Sequence, residues 1–217
     1  MNDIIQTITI YAIPIIFAIT LHEAAHGYVA RHFGDATAYL QGRVTLNPLK
    51  HIDPLGTIAI PIVLAILTAG QFVFGYAKPV PVSFANLNNP KRDMIWVALA
   101  GPGSNFAQAF LWALFGVGLA LGNVSEPYFF AVASAGVLVN LVMLALNLFP
   151  LPPLDGGRVL TGLLPNKYAI PFSRIEPYGF FIVLALLWLP GQPLRLWMQP
   201  VMGIAGAIIS TVLGIFK

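Results

Sequence analysis

The sequence predicts an all-α, polytopic membrane protein, and three observations carry that reading. Of its 217 residues, 58% are hydrophobic and only 9% charged, where an ordinary soluble domain carries roughly 25% charge. Too little polar surface remains to wrap a water-soluble globule. Mean hydropathy is +0.80. Apolar runs near the roughly 20 residues that cross a hydrocarbon core recur along the chain, at 4–30, 55–74, 94–121, 128–149, 177–189 and 197–216. The expected architecture has about five to six membrane helices, a re-entrant segment and short extended strands in the connectors. It forms one membrane-embedded domain over 1–217, with a core over 1–165 and C-terminal helices over 170–217.

Composition also excludes several classes. The net charge is +3, but the 11 Lys and Arg sit singly or in pairs between apolar runs, where the bias of positive residues toward the cytoplasm accounts for them without nucleic acid. The absence of cysteine rules out disulfides, thiolate metal sites and a cysteine nucleophile. Only Asp3 is charged ahead of the first apolar run, which is not the basic start of a signal peptide, so this run reads as a retained helix.

Taken in order, the first run carries a His/Glu cluster into a turn-rich connector at 34–53, with Gly42, Asn47, Pro48, Asp53 and Pro54 at its turns. The second run opens on Pro54, contains Pro61 and closes through Gly70 and Gly75. Its flanks are both basic, with Arg31, Arg43 and Lys50 before it and Lys78, Lys91 and Arg92 after it. Two basic connectors belong on one side, so 55–74 is expected to enter and leave by the cytoplasmic face, its backbone covered by protein. Runs three and four then form two crossings joined at 122–127, where Glu126 is the charged residue. Arg158, Lys167 and Arg174 return the chain to the basic side.

Residues 22–26 read His-Glu-Ala-Ala-His. On a helix the i, i+4 spacing stacks His22 and His26 on one face, about 6 Å apart along the axis, where two imidazoles can grip one Zn²⁺. Glu23 lies beside the pair and can take a proton from water activated there. Such a pattern on a soluble helix is commonly a solvated stripe. Here it follows an almost wholly apolar stretch, where each unpaired ionisable side chain costs at least roughly 2.5–3.5 kcal/mol. A divalent cation compensates that cost.

A catalytic zinc takes a third protein ligand and keeps one position open. His32, His51, Asp35, Asp53, Asp93, Glu126 and Glu176 lie at run ends or in connectors, where solvated caps and turns explain them. Asp155 follows prolines at 150, 152 and 153, which stop a helix, force an extended chain and aim a carboxylate inward. The plainer alternative is a helix end followed by an Asp-Gly turn. The His pair and Asp155 meet only if an even number of crossings separates them, which runs three and four supply when 55–74 re-enters.

His22-Glu-Ala-Ala-His26 together with Asn147-x-x-Pro-x-Pro-x-Leu-Asp155-Gly-Gly resembles the site-2 proteases, intramembrane zinc metalloproteases that cut transmembrane helices of other proteins. Supporting matches are Gly42-Arg-Val-Thr-Leu-Asn-Pro48, Gly75-Tyr-Ala-Lys-Pro-Val-Pro81 and Ala100-Gly-Pro-Gly-Ser-Asn-Phe106. The resemblance implies a Zn²⁺ cofactor on His22, His26 and Asp155, Glu23 as general base, and Asn147 as a substrate or oxyanion contact. It implies transmembrane protein substrates, lipid surroundings and a multi-pass place in a prokaryotic cell membrane, with the site nearer the cytoplasmic face. The segment near 75–86 resembles the family's substrate-binding loop, whose edge would pair with an unwound substrate. Family members often add a PDZ or CBS domain, which this chain lacks, so it resembles a minimal form. A metal transporter or permease, or a non-catalytic membrane subunit built on the same polar cluster, is the alternative. Asn105 and Asn140 read as ordinary interhelical hydrogen bonding, and Trp96, Trp112, Trp188 and Trp197 as interfacial anchors or packing.

Overall fold

A computed structural model describes residues 2–60, 63, 66 and 78–214. Helix α1 spans Asn2–His32, about 46 Å at 1.5 Å per residue. It ends because Gly34 takes φ 105°, which lets the Asp35 and Gly34 amides donate back to Ala30 and Arg31 carbonyls, at 2.9 and 3.1 Å. The short α2, Thr37–Leu40, folds back so that the Arg31 guanidinium lies 3.5 Å from the Tyr39 ring centroid. Asn47 and Asp53 then cap single turns at Pro48–Lys50 and Pro54–Ala59 through their side-chain oxygens, each with Pro at the first position, where its missing N–H costs nothing.

The second half is a helical bundle: α3 Pro90–Leu121, α4 Pro127–Asn147, α5 Asp155–Leu163, α6 Asn166–Ser173, α7 Glu176–Trp188 and α8 Pro193–Leu213. Helix α3 is central and packs against α1, α4 and α5. One core cluster, Ala109, Leu141, Leu144, Ala205 and Ile209, joins α3, α4 and α8. A second, Ala30, Leu87 and Val97, joins the end of α1, the 82–87 loop and the start of α3. Trp197 donates its indole N–H to the Ala145 carbonyl at 3.0 Å, and Trp112 fills a notch left by Gly136, where a Cβ would overlap its ring. Trp96 and Trp188 are exposed.

Among the described residues four helices are long and apolar enough to cross a membrane: α1 from Ile5, α3, α4 and α8. A fifth crossing results if α6 and α7, bent by 71° at a short break, act together. The described residues thus account for four or five of the about five to six membrane helices expected. By itself α7, at about 20 Å, is shorter than a hydrocarbon core of roughly 30 Å. The expected re-entry of 55–74 falls mostly outside the described residues, but its flanks meet, the Lys78 amide donating to the His51 carbonyl at 2.9 Å.

No strand forms among the described residues of either connector, contrary to expectation. The first connector spends its backbone on helical turns. In the second, the Lys78 amide is used by His51, the Lys78 and Pro79 carbonyls accept from Arg43 at 2.9 and 3.3 Å, and Pro79 and Pro81 have no N–H. Residues 75–77 lie outside the described set.

Asp35 fastens this connector to α1. It is fully buried, not a solvated turn residue, and accepts from the Ser83 amide at 2.7 Å, the Thr37 amide at 3.0 Å, the Thr37 hydroxyl and the Asn86 amide side chain. Burial alone would raise its pKa, but the donors from Thr37, Ser83 and Asn86 outweigh it and hold the carboxyl below its ordinary value. A depressed folded pKa gives stability that is full above the unfolded value and is lost as pH falls through the folded one. In detergent, Asp35→Asn is expected to unfold at a lower temperature than wild type at about pH 7, with the gap closing toward about pH 3. A gap that is constant over that range would show that the Asp35 charge contributes nothing.

Candidate metal centre

His22 and His26 project from one face of α1, and both are buried. Opposite them, α3 presents Val97, Gly101 and Asn105, spaced four apart along one face. The two helices run antiparallel there, so His26 meets Val97 and His22 meets Asn105. His26 Nδ1 donates to the Val97 carbonyl at 2.7 Å, and His22 Nδ1 donates to Asn105 Oδ1 at 2.6 Å. With both Nδ1 protons placed, each ring in the neutral form that a metal ligand requires turns a bare Nε2 lone pair inward. Gly101 backs this pair, because any Cβ there would overlap His26 Nε2 and crowd His22 Nε2. The Ala100–Phe106 motif is thus a seat for two imidazoles.

Asp155 arrives from the far side of the bundle. Helix α4 ends at Asn147, and residues 148–154 make tight turns instead of the extended chain expected from the prolines. Asp155 then opens α5 and does not sit in an Asp-Gly turn after a helix. Gly156 and Gly157 permit this reversal, because a Cβ on either would overlap the backbone at Leu148 or at Leu151–Pro152. Asp155 Oδ2 reaches 3.2 Å from His22 Nε2 and 3.3 Å from His26 Nε2, while the two Nε2 atoms are 3.1 Å apart. Oδ2 is buried and has no hydrogen-bond donor.

This triangle fits a metal. Ligand bonds of about 2.0–2.1 Å in a tetrahedral shell separate the donors by about 3.3 Å, close to all three observed edges. A proton could serve only one edge at a time. His22, His26 and Asp155 form the metal-capable group found among the described residues.

Glu23, half-buried beside the pair, accepts a hydrogen bond at Oε2 from the Val80 amide at 2.7 Å. The 78–80 segment is therefore gripped by His51, Arg43 and Glu23 together. Gly27 lets it approach α1, since a Cβ there would press on Val44 and Val80. Asn147 donates its side-chain amide to the Met143 carbonyl of its own helix at 3.1 Å, one bond of the two its NH₂ can make. The other polar candidates lie apart from the cluster. Asp93 accepts from the Asn89 amide at 2.7 Å, and His51 donates from Nε2 to the Thr45 carbonyl at 2.9 Å. Both are buried, so neither is the solvated residue expected. Sequence reasoning missed Val97, because a backbone carbonyl leaves no residue signature, and it missed Arg43 as a clamp.

With this geometry in hand, comparison with known proteins is decisive. Residues 117–190, which include Asp155, match the model of peptidase family M50. The chain is 40% identical over 193 residues to the Bacillus subtilis protein named "Putative zinc metalloprotease YwhC", covering 85% of this chain and 83% of that protein. The chain belongs to peptidase family M50. It is also 29% identical over 201 residues to a Mycolicibacterium smegmatis protein named "Putative zinc metalloprotease Rip2", covering 90% of this chain and 74% of that one. A Mycobacterium tuberculosis protein of the same name is 30% identical over 80% of this chain and 64% of its own length. No solved structure gives a significant match.

Two outcomes follow for this M50 chain. Gly101→Ala places a methyl against both donor nitrogens and is expected to weaken divalent-metal binding at least about tenfold, as loss of ligand geometry does, with helix content unchanged by circular dichroism. Arg43→Met removes the two bonds to the 78–79 carbonyls, and hydrogen exchange at the Val80 amide is expected to accelerate roughly tenfold or more. Unchanged exchange would show that Glu23 and His51 suffice to hold the segment.

Proposed function

We propose that this M50 chain is an intramembrane zinc metalloprotease that hydrolyses peptide bonds within or near transmembrane segments of other membrane proteins. The observation that carries the reading is the triangle of His22 Nε2, His26 Nε2 and Asp155 Oδ2, with edges of 3.1–3.3 Å. Two neutral imidazoles and a carboxylate are the hard and borderline donors that suit zinc, and the relatives named as zinc metalloproteases support that metal. Bound zinc would lower the pKa of a coordinated water toward about 7 and polarise the scissile carbonyl.

The remaining steps belong to the chain's own side chains. Glu23 accepts the proton as water attacks and returns it to the leaving amine. The Val80 amide orients the Glu23 carboxylate through Oε2, leaving Oε1 for the proton. Asn147 has one side-chain N–H beyond the bond to Met143, and in this reading it is offered to the developing oxyanion. His22 lies about 15 Å along α1 from its end at His32, and in this reading water enters from that nearer face. An intact substrate helix hides its carbonyls, so the segment to be cut unwinds before hydrolysis. The domain arrangement proposed is one membrane-embedded unit over 1–217, with the catalytic core over 1–165 and C-terminal helices over 170–217. The positive-inside bias puts the site toward the cytoplasmic face of a prokaryotic cell membrane.

Cleavage of model single-span proteins in detergent, with bound zinc quantified, tests this. Glu23→Gln is expected to lower cleavage by about 10²–10⁴-fold with zinc retained, and Asp155→Ala to lose both zinc and cleavage. Wild-type cleavage rates in Glu23→Gln would reject the assigned base. Metal passage into vesicles without cleavage by the wild type would favour a transporter.

A further inference from the structure

Asn105 and Asn140 lie one layer behind the donor cluster, and both are wholly shielded from solvent. Interhelical hydrogen bonding is the ordinary reason for an asparagine in a membrane helix. What sets this pair apart is the direction of its bonds. Asn140 Nδ2 donates to the Gly136 carbonyl at 2.9 Å, which leaves Asn140 Oδ1 facing α3. That oxygen accepts from Asn105 Nδ2 at 2.9 Å, and the same nitrogen also donates to the Ala18 carbonyl of α1 at 3.2 Å. Both amide protons of Asn105 are then spent. Only its Oδ1 faces His22, whose Nδ1 must donate, at 2.6 Å.

The chain of bonds cannot run the other way. Turning the Asn105 amide over would set its oxygen against Asn140 Oδ1 and the Ala18 carbonyl, two acceptor pairs with no proton between them. Turning both amides over restores the bond between them but leaves the Asn105 oxygen against the Ala18 carbonyl and adds a second conflict at the Gly136 carbonyl, both backbone groups that can only accept. The buried setting makes each such mismatch costly.

We propose that Asn140 and Asn105 form a one-way amide relay that holds His22 in the tautomer protonated at Nδ1 and so aims its Nε2 lone pair at the metal. They are positioning residues, since neither touches the reacting atoms. His26 receives the same instruction directly from the Val97 carbonyl. The proposal rests on the metal-centre reading above, and the relay makes a prediction that simple packing does not. Removing Asn140, which touches no ligand, releases Asn105 to rotate and so weakens metal binding at a distance.

The test measures zinc affinity by competition with a chromophoric chelator for wild type, Asn105→Leu, Asn140→Leu, the double variant and Asn140→Asp. Thermal unfolding of each metal-free protein reports structural damage separately. Selective ¹⁵N labelling of histidine in the metal-free protein reads the ring tautomers. Asn105→Leu is expected to bind zinc about 10–100-fold more weakly, as loss of a ligand's outer partner does. Asn140→Leu is expected to bind more weakly than wild type too, with a mixture of His22 tautomers. The double variant should be no worse than Asn105→Leu alone, because members of one relay are not additive. Asn140→Asp, neutral when buried with no cation beside it, still accepts from Asn105 through one oxygen and donates its proton to the Gly136 carbonyl through the other, so it should stay within about threefold of wild type. Asn140→Ala serves, with the same expectation, if the leucine variant does not fold. Wild-type affinity in Asn105→Leu, losses that multiply in the double variant, or an unchanged tautomer in Asn140→Leu would each overturn the relay. A wild type that binds no zinc would overturn the metal centre and the relay with it.

Discussion

Three electron-rich atoms, His22 Nε2, His26 Nε2 and Asp155 Oδ2, face one another at 3.1–3.3 Å in a buried pocket. Without a cation this arrangement is repulsive, and burial strengthens the repulsion because little solvent screens it. The rest of the structure holds these atoms against that repulsion. Helix α1 is a continuous rod that fixes the His pair. The 148–154 turns and the Gly156–Gly157 pair deliver Asp155 on the opening turn of α5, where the partial positive charge of a helix N-terminus favours a carboxylate.

Helix α3 mediates between the two sides. Its Val97, Gly101 and Asn105 do three different jobs at a spacing of four: a backbone acceptor, an absent side chain and an amide acceptor. In water such partners would be interchangeable with solvent. At membrane depth a polar group needs an internal partner, and His22 of α1, Asn105 of α3 and Asn140 of α4 supply partners to one another as one connected set. This connectivity explains why two asparagines sit at fully buried positions of membrane-length helices.

Much of this was legible in the sequence because its strongest constraints are local or periodic. The apolar runs mark α1, α3, α4 and α8, and the i, i+4 histidines on an apolar helix demand a cation. Asp155 was expected to return to the end that carries the His pair, and the structure makes that contact. Less legible was anything carried by backbone atoms or by close approach. The Val97 carbonyl, the space at Gly101 and the opening of α5 at Asp155 depend on tertiary packing, which no residue pattern encodes. Buried Asp35 and Asp93 and the clamp at Arg43 were hidden for a related reason. A charged residue in a connector reads as solvated until the loop it holds is seen folded over it.

The 78–83 segment shows how such hidden constraints bear on chemistry. A strand edge there would need free amides at alternate positions, yet Lys78 donates to His51, Val80 donates to Glu23 and Ser83 donates to Asp35. These are partners from three successive parts of the N-terminal half, so the segment is laid along α1 by side chains and turns and not by a sheet. Its position is then tied to the rotamer of Glu23, the residue proposed as base. A base held by a backbone amide has one oxygen fixed and one available, which gives proton transfer a defined direction. The same bond means that a displacement of the 78–83 segment releases the Glu23 carboxylate from its preset orientation. Segment and Glu23 are therefore joined through one hydrogen bond, and in the proposed mechanism whatever docks against the connector also acts on the carboxylate proposed as base.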